Sequence, residues 1–210
     1  MRSGKIYLMR SGDSDKYKIG RTTQSVSKRR KTLKTGNPDP IRVIRVWDEV
    51  PSHVQFEGIL HAVFCANRDH QSDATEFFEF QDVDRAIDRI EHELAKHVER
   101  TKLTASLSRE QDSDSLVEAD EALRRLVQRR REARAQAKLL EQECHDLDAL
   151  IKKHIGGNAG IGAPGRERAL VTWQDVRTRR FDVKAFREAH AELYDSFVRD
   201  EACRRFTVHD

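Results

Sequence analysis

A heptad repeat of small and apolar residues between residues 116 and 154 is the feature that most limits what this chain can fold into. One core-type position holds Leu116, Leu123, Ala137, Cys144 and Ile151. Three residues further on lie Ala119, Leu126, Ala133, Leu140 and Leu147. This spacing predicts a long helix with one apolar seam, interrupted by Arg130. The seam could pair with a second copy, fold against the C-terminal segment, or do both.

The residues before this helix have the pattern of a small α+β module with a mixed or antiparallel sheet and flanking helices. Two short apolar runs, 5–9 and 15–21, flank a Ser/Gly/Asp cluster and predict a β-hairpin. Then follow a helix beginning at Ser25 or Ser27, a strand at 41–48, a helix opened by Ser52, a strand near 75–80 and a helix capped by Asp82.

The polar stretch 101–115 has no periodicity. The predicted domains are therefore the module at 1–99, a linker at 100–115, the long heptad-patterned helix at 116–155 and a small α+β unit at 156–210. The last unit begins with a glycine-rich turn and continues with a hairpin strand at 169–173, a helix capped by Asp182, a second helical stretch and a closing strand at 205–208.

Composition excludes several classes of protein. The hydrophobic fraction of 37% is matched by a charged fraction of 36%, which favours small cores and long solvated helices. No apolar run approaches the ~20 residues needed to cross a bilayer. The three cysteines are far apart and fit neither a disulfide framework nor a CxxC zinc site. We expect a cytoplasmic protein without membrane contact or disulfide partners.

Basic residues cluster although the net charge is only +3. One cluster lies at 28–34 and the other at 124–134. Local basic patches suit a polyanion such as nucleic acid. For the second cluster, a solvated helix face is an equally good interpretation.

Five polar side chains of the first module could converge in a small fold: Tyr7, Lys18, Arg29, His61 and Glu76. Together they supply the parts of metal-assisted phosphodiester hydrolysis. A carboxylate holds a hard cation, and a phenol or imidazole takes the proton of water. A guanidinium and an ammonium meet the charge that grows on the phosphate.

The segments 5–7 (KIY) and 18–20 (KIG) resemble the two-part signature of the GIY-YIG nucleases. A closer resemblance, to the phage-associated T5orf172 subgroup, is carried by 17–22 (YKIGRT), the helix arginine, 33–40 (LKTGNPDP), 57–61 (EGILH) and 75–79 (TEFFE). The resemblance covers residues 4–80 in order.

This resemblance implies a role for each residue. Tyr7 would position or deprotonate the attacking water, Arg29 would stabilise the transition state, and His61 would transfer a proton. Glu76 would be the sole protein ligand of a Mg²⁺ or Mn²⁺ ion. Gly20 would let the backbone approach at the strand end.

The chain departs from the family signature at two positions. Lys5 replaces its opening glycine, and Lys18 stands where most members have a second tyrosine. We expect the Lys18 ammonium to lower the pKa of Tyr7 and make it a better base. Tyr17 should point to the opposite face of the strand. Phosphate contacts are assigned to Arg21, Lys28, Arg30, Lys31 and Lys34.

The C-terminal part resembles the accessory region that follows the nuclease core in YqaJ-type phage recombination exonucleases. The matching segments include 150–151 (LI), 156–157 (GG), 171–173 (VTW), 180–182 (RFD) and 204–206 (RRF). The catalytic Asp/Glu/Lys core of those enzymes has no counterpart here. The resemblance implies a portable module for DNA or partner engagement, with phosphate contacts from Arg179, Arg180, Arg204 and Arg205.

Three functional hypotheses follow. The leading one is a Mg²⁺-dependent DNA endonuclease of phage or mobile-element type, with a C-terminal targeting or oligomerisation module and a homodimer through residues 116–155. The main alternative is a degenerate nuclease fold that binds nucleic acid and acts by occupancy. The third is a structural adaptor that functions through the long helix and the tail.

Overall fold

The computed structural model describes residues 3–34, 39–69, 76–107, 116–164, 169–201 and 206–209. The chain divides into two units, residues 1–111 and 112–210. The first unit contains a four-stranded sheet with helices, and the second contains a long helix with a few short elements. The predicted α+β class is confirmed.

The sheet of the first unit is entirely antiparallel and has the strand order β3-β1-β2-β4. Its strands are β1 (Ser3–Ser11), β2 (Lys16–Thr22), β3 (Ile41–Pro51) and β4 (Phe77–Glu79). The helices are α1 (Val26–Lys34), α2 (His53–Val63) and α3 (Val83–Leu107), and a single 3-10 turn covers Cys65–Asn67.

Local signals in the sequence account for these elements. The β1–β2 hairpin turns at Gly12, whose φ of 59° favours glycine. Ser25, not Ser27, caps α1, because its hydroxyl accepts the N–H of Lys28. Asp82 caps α3 by accepting the N–H of Arg85. The predicted order of strands and helices in this unit is confirmed.

Alternation along the strands builds one hydrophobic core. Ile6 and Leu8 of β1 belong to this core, as do Tyr17 and Ile19 of β2. The remaining buried members come from the other strands and helices and the residues next to them: Trp47, Val50, Phe56, Leu60, Phe64, Phe78, Phe80, Ala86 and Ile90. The residues between them on β1 and β2 therefore point to the other face of the sheet.

Helix α3 continues through Leu107, so the linker predicted from residue 100 is wrong for residues 100–107. This stretch is polar and has no apolar periodicity, so its helix was not predicted from the sequence. Lys102 pairs with Glu99 one turn away, and the Thr104 and Ser106 hydroxyls donate to preceding helix carbonyls. The Lys102–Glu99 pair, three residues apart on one helix face, gives modest local support to this polar part of the helix.

The second unit is built on α4 (Glu121–Ile155). Asp120 caps this helix by accepting the N–H of Leu123, so the helix predicted from residue 116 begins five residues later. Gly156, with φ 58°, follows the last residue.

Short elements follow α4: β5 (Gly160–Ile161), β6 (Val171–Thr172), α5 (Val183–Ala189) and α6 (Ala191–Phe197). β5 and β6 pair antiparallel, and Asp182 caps α5 by accepting the N–H of Ala185, as predicted. The closing strand predicted at 205–208 is wrong for residues 206–208, which belong to no strand. Ile155 is the only buried residue among the described residues of this unit, so these elements have little core to pair against.

Within the residues that the structure describes, no helix is long and apolar enough to span a membrane. Cys65 and Cys144 are free cysteines exposed on the surface.

Candidate nuclease site

Tyr7 lies on β1 between the core residues Ile6 and Leu8 and therefore on the opposite face of the sheet. Its register partner on β2 is Gly20. A Cβ atom on Gly20 would meet the Tyr7 hydroxyl oxygen at 2.5 Å and the ring carbon beside it at 2.6 Å. Glycine at position 20 is thus what lets the tyrosine ring lie across the neighbouring strand. Tyr17, in contrast, packs in the core against Phe80, as predicted.

Arg29 of α1 donates a hydrogen bond from Nε to the Tyr7 hydroxyl oxygen, at 3.3 Å. Burial raises the pKa of Tyr7 above its ordinary value of 10, and the hydrogen bond and charge of Arg29 partly oppose that rise. The pKa of Arg29 is raised in turn, chiefly by its bond to Tyr7.

Lys18 forms an ion pair with Glu76. Lys18 is on β2 opposite Phe77 of β4, and Glu76 directly precedes that strand, so pairing of the two strands brings the groups together. The Lys18 side chain is only 9% exposed, whereas that of Glu76 is 50% exposed. The hydrogen bond from Lys18 lowers the pKa of Glu76 below its ordinary value of 4.5, although burial acts in the opposite sense.

The expectation that Lys18 lowers the pKa of Tyr7 is wrong. The Lys18 ammonium is bound to Glu76, and the cation that acts on the phenol is Arg29. Desolvation outweighs that cation, so the phenol holds its proton more tightly than in water. The sequence indicated a cation near Tyr7 without indicating which carboxylate would pair with Lys18.

His61 of α2 is partly buried beside this group of residues. Its Nε2 donates to the backbone carbonyl oxygen of Ile19 at 3.1 Å, and its ring lies 5.2 Å from that of Phe78. Because a carbonyl oxygen can only accept, this bond assigns the Nε2 proton. His61 also acts electrostatically to lower the pKa of Glu76. It does not line the cavity described next.

A cavity of about 450 Å³ opens beside Tyr7, Arg29 and Glu76. Its other lining residues are Arg21, Thr22, Thr23, Gln24, Thr32 and Glu57. A larger cavity of about 1100 Å³ lies between the end of β4 and α3 and contains none of the five predicted catalytic residues. Chemistry rather than size therefore identifies the smaller cavity as the candidate site.

Sequence reasoning missed Glu57 as a member of this site. Its carboxylate accepts a hydrogen bond of 2.6 Å from Nε of Arg21, and both residues line the cavity. Glu57 precedes His61 by four residues, so the two side chains share one face of α2. This four-residue spacing from His61 is the sequence feature that could have placed Glu57 at the site.

The predicted phosphate contacts fall into three groups. Arg21 is paired with Glu57 at the cavity. Lys28, Arg30 and Lys31 are exposed on α1, and Arg179 and Arg180 are exposed in the second unit. The Lys34 side chain, Arg204 and Arg205 lie outside the described residues.

The described residues contain no group of three or more His, Cys, Asp or Glu that could hold a metal ion. Glu76 nevertheless fits the role of a single carboxylate ligand, because its side chain is half exposed and lines the cavity beside Tyr7 and Arg29. Mg²⁺ commonly keeps several waters and binds through one or two carboxylates together with substrate phosphates. The donor set is therefore compatible with a hard cation held jointly with a phosphate.

An antiparallel sheet that brings a tyrosine, an arginine and a glutamate to one cavity is an arrangement suited to a nuclease-like domain. Residues 4–103 match the family model described as the T5orf172 domain, which spans the first unit from β1 into α3. The resemblance noted at residues 4–80 is thus supported. Neither the curated proteins nor the solved structures gave a match. The resemblance of the C-terminal part to YqaJ-type exonucleases is not supported.

Proposed function

We propose that the first unit is a metal-dependent nuclease that hydrolyses phosphodiester bonds in DNA. The observation that carries the proposal is the convergence of Tyr7, Arg29 and Glu76 on one cavity, although they come from β1, α1 and the turn before β4. The match to the T5orf172 domain supports the class of activity. Exposed cations on α1 offer contacts for the DNA backbone, where position matters less than charge.

In its phenolate form, Tyr7 orients the attacking water and accepts its proton, which returns the side chain to the neutral phenol. Its hydroxyl is held in place by Gly20 beneath the ring and by the hydrogen bond from Arg29. The same bond favours the phenolate, which is the form that can accept the proton of water, and so partly offsets the opposing effect of burial.

Arg29 stabilises the charge that develops on the phosphate. Its guanidinium contacts Tyr7 through Nε, and a planar guanidinium has further N–H groups that suit phosphate oxygens. One guanidinium can therefore align the phenol and the scissile phosphate together.

Glu76 would hold Mg²⁺ or Mn²⁺, which when bound supplies positive charge beside the scissile phosphate. Lys18 pairs with the Glu76 carboxylate and favours its ionised form. His61 lies close enough to act on Glu76 electrostatically, and we assign it to proton transfer on either the attacking or the leaving side.

A second candidate function rests on the same Lys18–Glu76 pair. An ammonium already neutralises the one carboxylate assigned to metal binding, which is also what a site adapted to phosphate binding without cleavage would need. In that case the unit would bind nucleic acid and act by occupancy.

Plasmid DNA incubated with the purified full-length chain and Mg²⁺ separates these functions. We expect nicking by the wild type and its loss in Glu76→Gln and Arg29→Lys. Glu79→Gln is a matched control, because Glu79 ends the short strand that Glu76 precedes but does not line the cavity. Equal nicking by all four proteins would contradict the assigned site. DNA binding without nicking by any of them, with Mg²⁺ or Mn²⁺, would favour occupancy.

A further inference from the structure

Helix α4 exposes an apolar seam along its length. The leucines at the two core-type positions, Leu123, Leu126, Leu140 and Leu147, are 41%, 64%, 61% and 51% exposed. The only buried residue of this 35-residue helix is Ile155, at its end. A contiguous exposed apolar face of this kind marks an interaction surface.

The charges of α4 are divided between its two halves. The N-terminal half carries two glutamates, Glu121 and Glu132, against Lys138 and six arginines, Arg124, Arg125, Arg129, Arg130, Arg131 and Arg134. The C-terminal half carries Glu141, Glu143, Asp146 and Asp148, and its Lys and Arg residues are Lys152 and Lys153 at the end of the helix. In a parallel pair of α4 helices, the arginines of one helix would lie beside the arginines of the other. In an antiparallel pair, they would lie beside the carboxylates of the other helix.

We propose that α4 forms an antiparallel coiled coil with the α4 of a second copy of this chain. In antiparallel pairs, the first core-type position of one helix packs against the second core-type position of the other. The register that satisfies this along the helix places Leu123 opposite Leu147 of the second copy, and Leu126 opposite Cys144.

The same register accommodates the arginine that interrupts the seam. Arg130 lies opposite Leu140 of the second copy, close to the acidic half of that helix. In a parallel pair, Arg130 would face the identical residue in the middle of the seam. Arg129, which flanks the seam, approaches Glu143 of the second copy, and this pair occurs twice by symmetry. Charge, pattern and exposure thus favour one orientation.

The C-terminal residues compete for part of this face. Arg130 lies 5.0 Å from the ring centre of Phe206, and Arg131 donates to the His209 carbonyl oxygen. Phe206 nevertheless remains 77% exposed, so this contact covers little of the seam. The described tail does not replace a partner helix.

Cysteine cross-linking of the full chain tests the orientation, because Cys144 occupies a core-type position and is exposed. Cys65 and Cys203 are first replaced by serine. In the antiparallel pair Cys144 is distant from its own copy, and adding Leu126→Cys places two thiols opposite each other. We expect Leu126→Cys to give a disulfide-linked dimer under mild oxidation, while Cys144 alone and the outer-face control Gln128→Cys do not. Ready cross-linking of Cys144 alone would indicate a parallel pair and overturn the proposal.

A charge exchange tests the pairing without oxidation. Sedimentation of the wild type should show a dimer of the 24.3-kDa chain. Arg129→Glu should weaken dimerisation by roughly tenfold, because two ion pairs become repulsive. Adding Glu143→Arg to that variant should restore dimerisation, which a parallel pair would not allow. A wild type that stays monomeric at all concentrations would leave the tail as the only occupant of this face, and the proposal would be wrong.

Discussion

The two long helices of this chain, α3 and α4, have apolar residues at helical spacing but different surroundings. In α3, Ala86 and Ile90 are buried against the sheet and belong to the core of the first unit. In α4, the residues at the corresponding kind of position, such as Leu126 and Leu140, are exposed. An apolar stripe on a helix therefore predicts a packing partner for that face. Whether the partner is a sheet of the same chain depends on which strands lie beside the helix in the fold.

The same difference in burial suggests different functions for the two units. The first unit has a buried core of its own and so can hold Tyr7 and Arg29 in fixed positions around a cavity. The second unit buries almost nothing within the described residues and presents leucines and arginines to solvent. We expect catalysis to depend on the first unit and assembly on the second.

Tyr7→Phe should have the largest effect on activity. Removing one oxygen keeps the packing of the ring on Gly20 but removes the group that accepts the proton. Loss of general-base assistance lowers rates by about 10²–10⁴-fold. Single-turnover cleavage should fall on that scale while DNA affinity stays nearly constant. Tyr17→Phe, on the core face of the adjacent strand, is the matched control, and wild-type cleavage by Tyr7→Phe would remove Tyr7 from the mechanism.

Much of this arrangement was predictable from sequence, because strand alternation and helix caps are local. The opposite faces of Tyr7 and Tyr17 followed from a period of two, and the α3 cap from Asp82. The partner of Lys18 was not predictable, since it depends on how β4 pairs with β2 across more than fifty residues. The pairing of Arg21 with Glu57 was missed for the same reason.

Truncating an apolar side chain should lower the free energy of unfolding far more in the first unit than in the second. Phe78 is fully buried in the first unit, so Phe78→Ala should lower its free energy of unfolding by about 3–5 kcal/mol. Leu140→Ala, on the exposed seam, should change the stability of a single chain by no more than about 0.5 kcal/mol and instead weaken dimerisation. Trp47 lies in the first unit and Trp173 in the second, so Trp173→Phe leaves fluorescence that reports on the first unit alone. Equal losses from the two substitutions, at concentrations that exclude dimers, would contradict this division.

The pH dependence of cleavage should report the raised pKa of Tyr7 in the first unit. Burial raises the pKa of Tyr7 above its ordinary value of 10. The ionised fraction of a group below its pKa grows tenfold with each pH unit. With Tyr7 as the base, kcat/KM should therefore rise about tenfold per unit up to pH 9 without a plateau. An imidazole base would give a rate that levels off near neutral pH, because histidines change charge in that range. Tyr7→Phe should remove the slope.

The smallest expected effect is on the stability of the fold in acid. We compare the Lys18–Glu76 pair of the first unit with the Arg125–Glu121 pair of the second. Lys18 lowers the pKa of Glu76 in the folded chain below its ordinary value of 4.5. A lowered pKa means that the folded state binds the proton less readily, so the pair stabilises the fold above about pH 4.5 and is lost as the pH falls through the lower value. Glu76→Gln should therefore unfold more readily than the wild type at pH 6 and equally at pH 2. Because Glu76 is half exposed, the difference should be below about 1 kcal/mol.

The exposed pair Arg125–Glu121 on α4 provides the control, since its side chains are 78% and 68% exposed. Glu121→Gln should leave the unfolding of the first unit unchanged at both pH values, as followed by Trp47 fluorescence. Unfolding of Glu76→Gln like that of the wild type at both pH values would mean that the Lys18–Glu76 pair is no more than another surface contact. The chain would then lack the fixed carboxylate on which the proposed cation site depends.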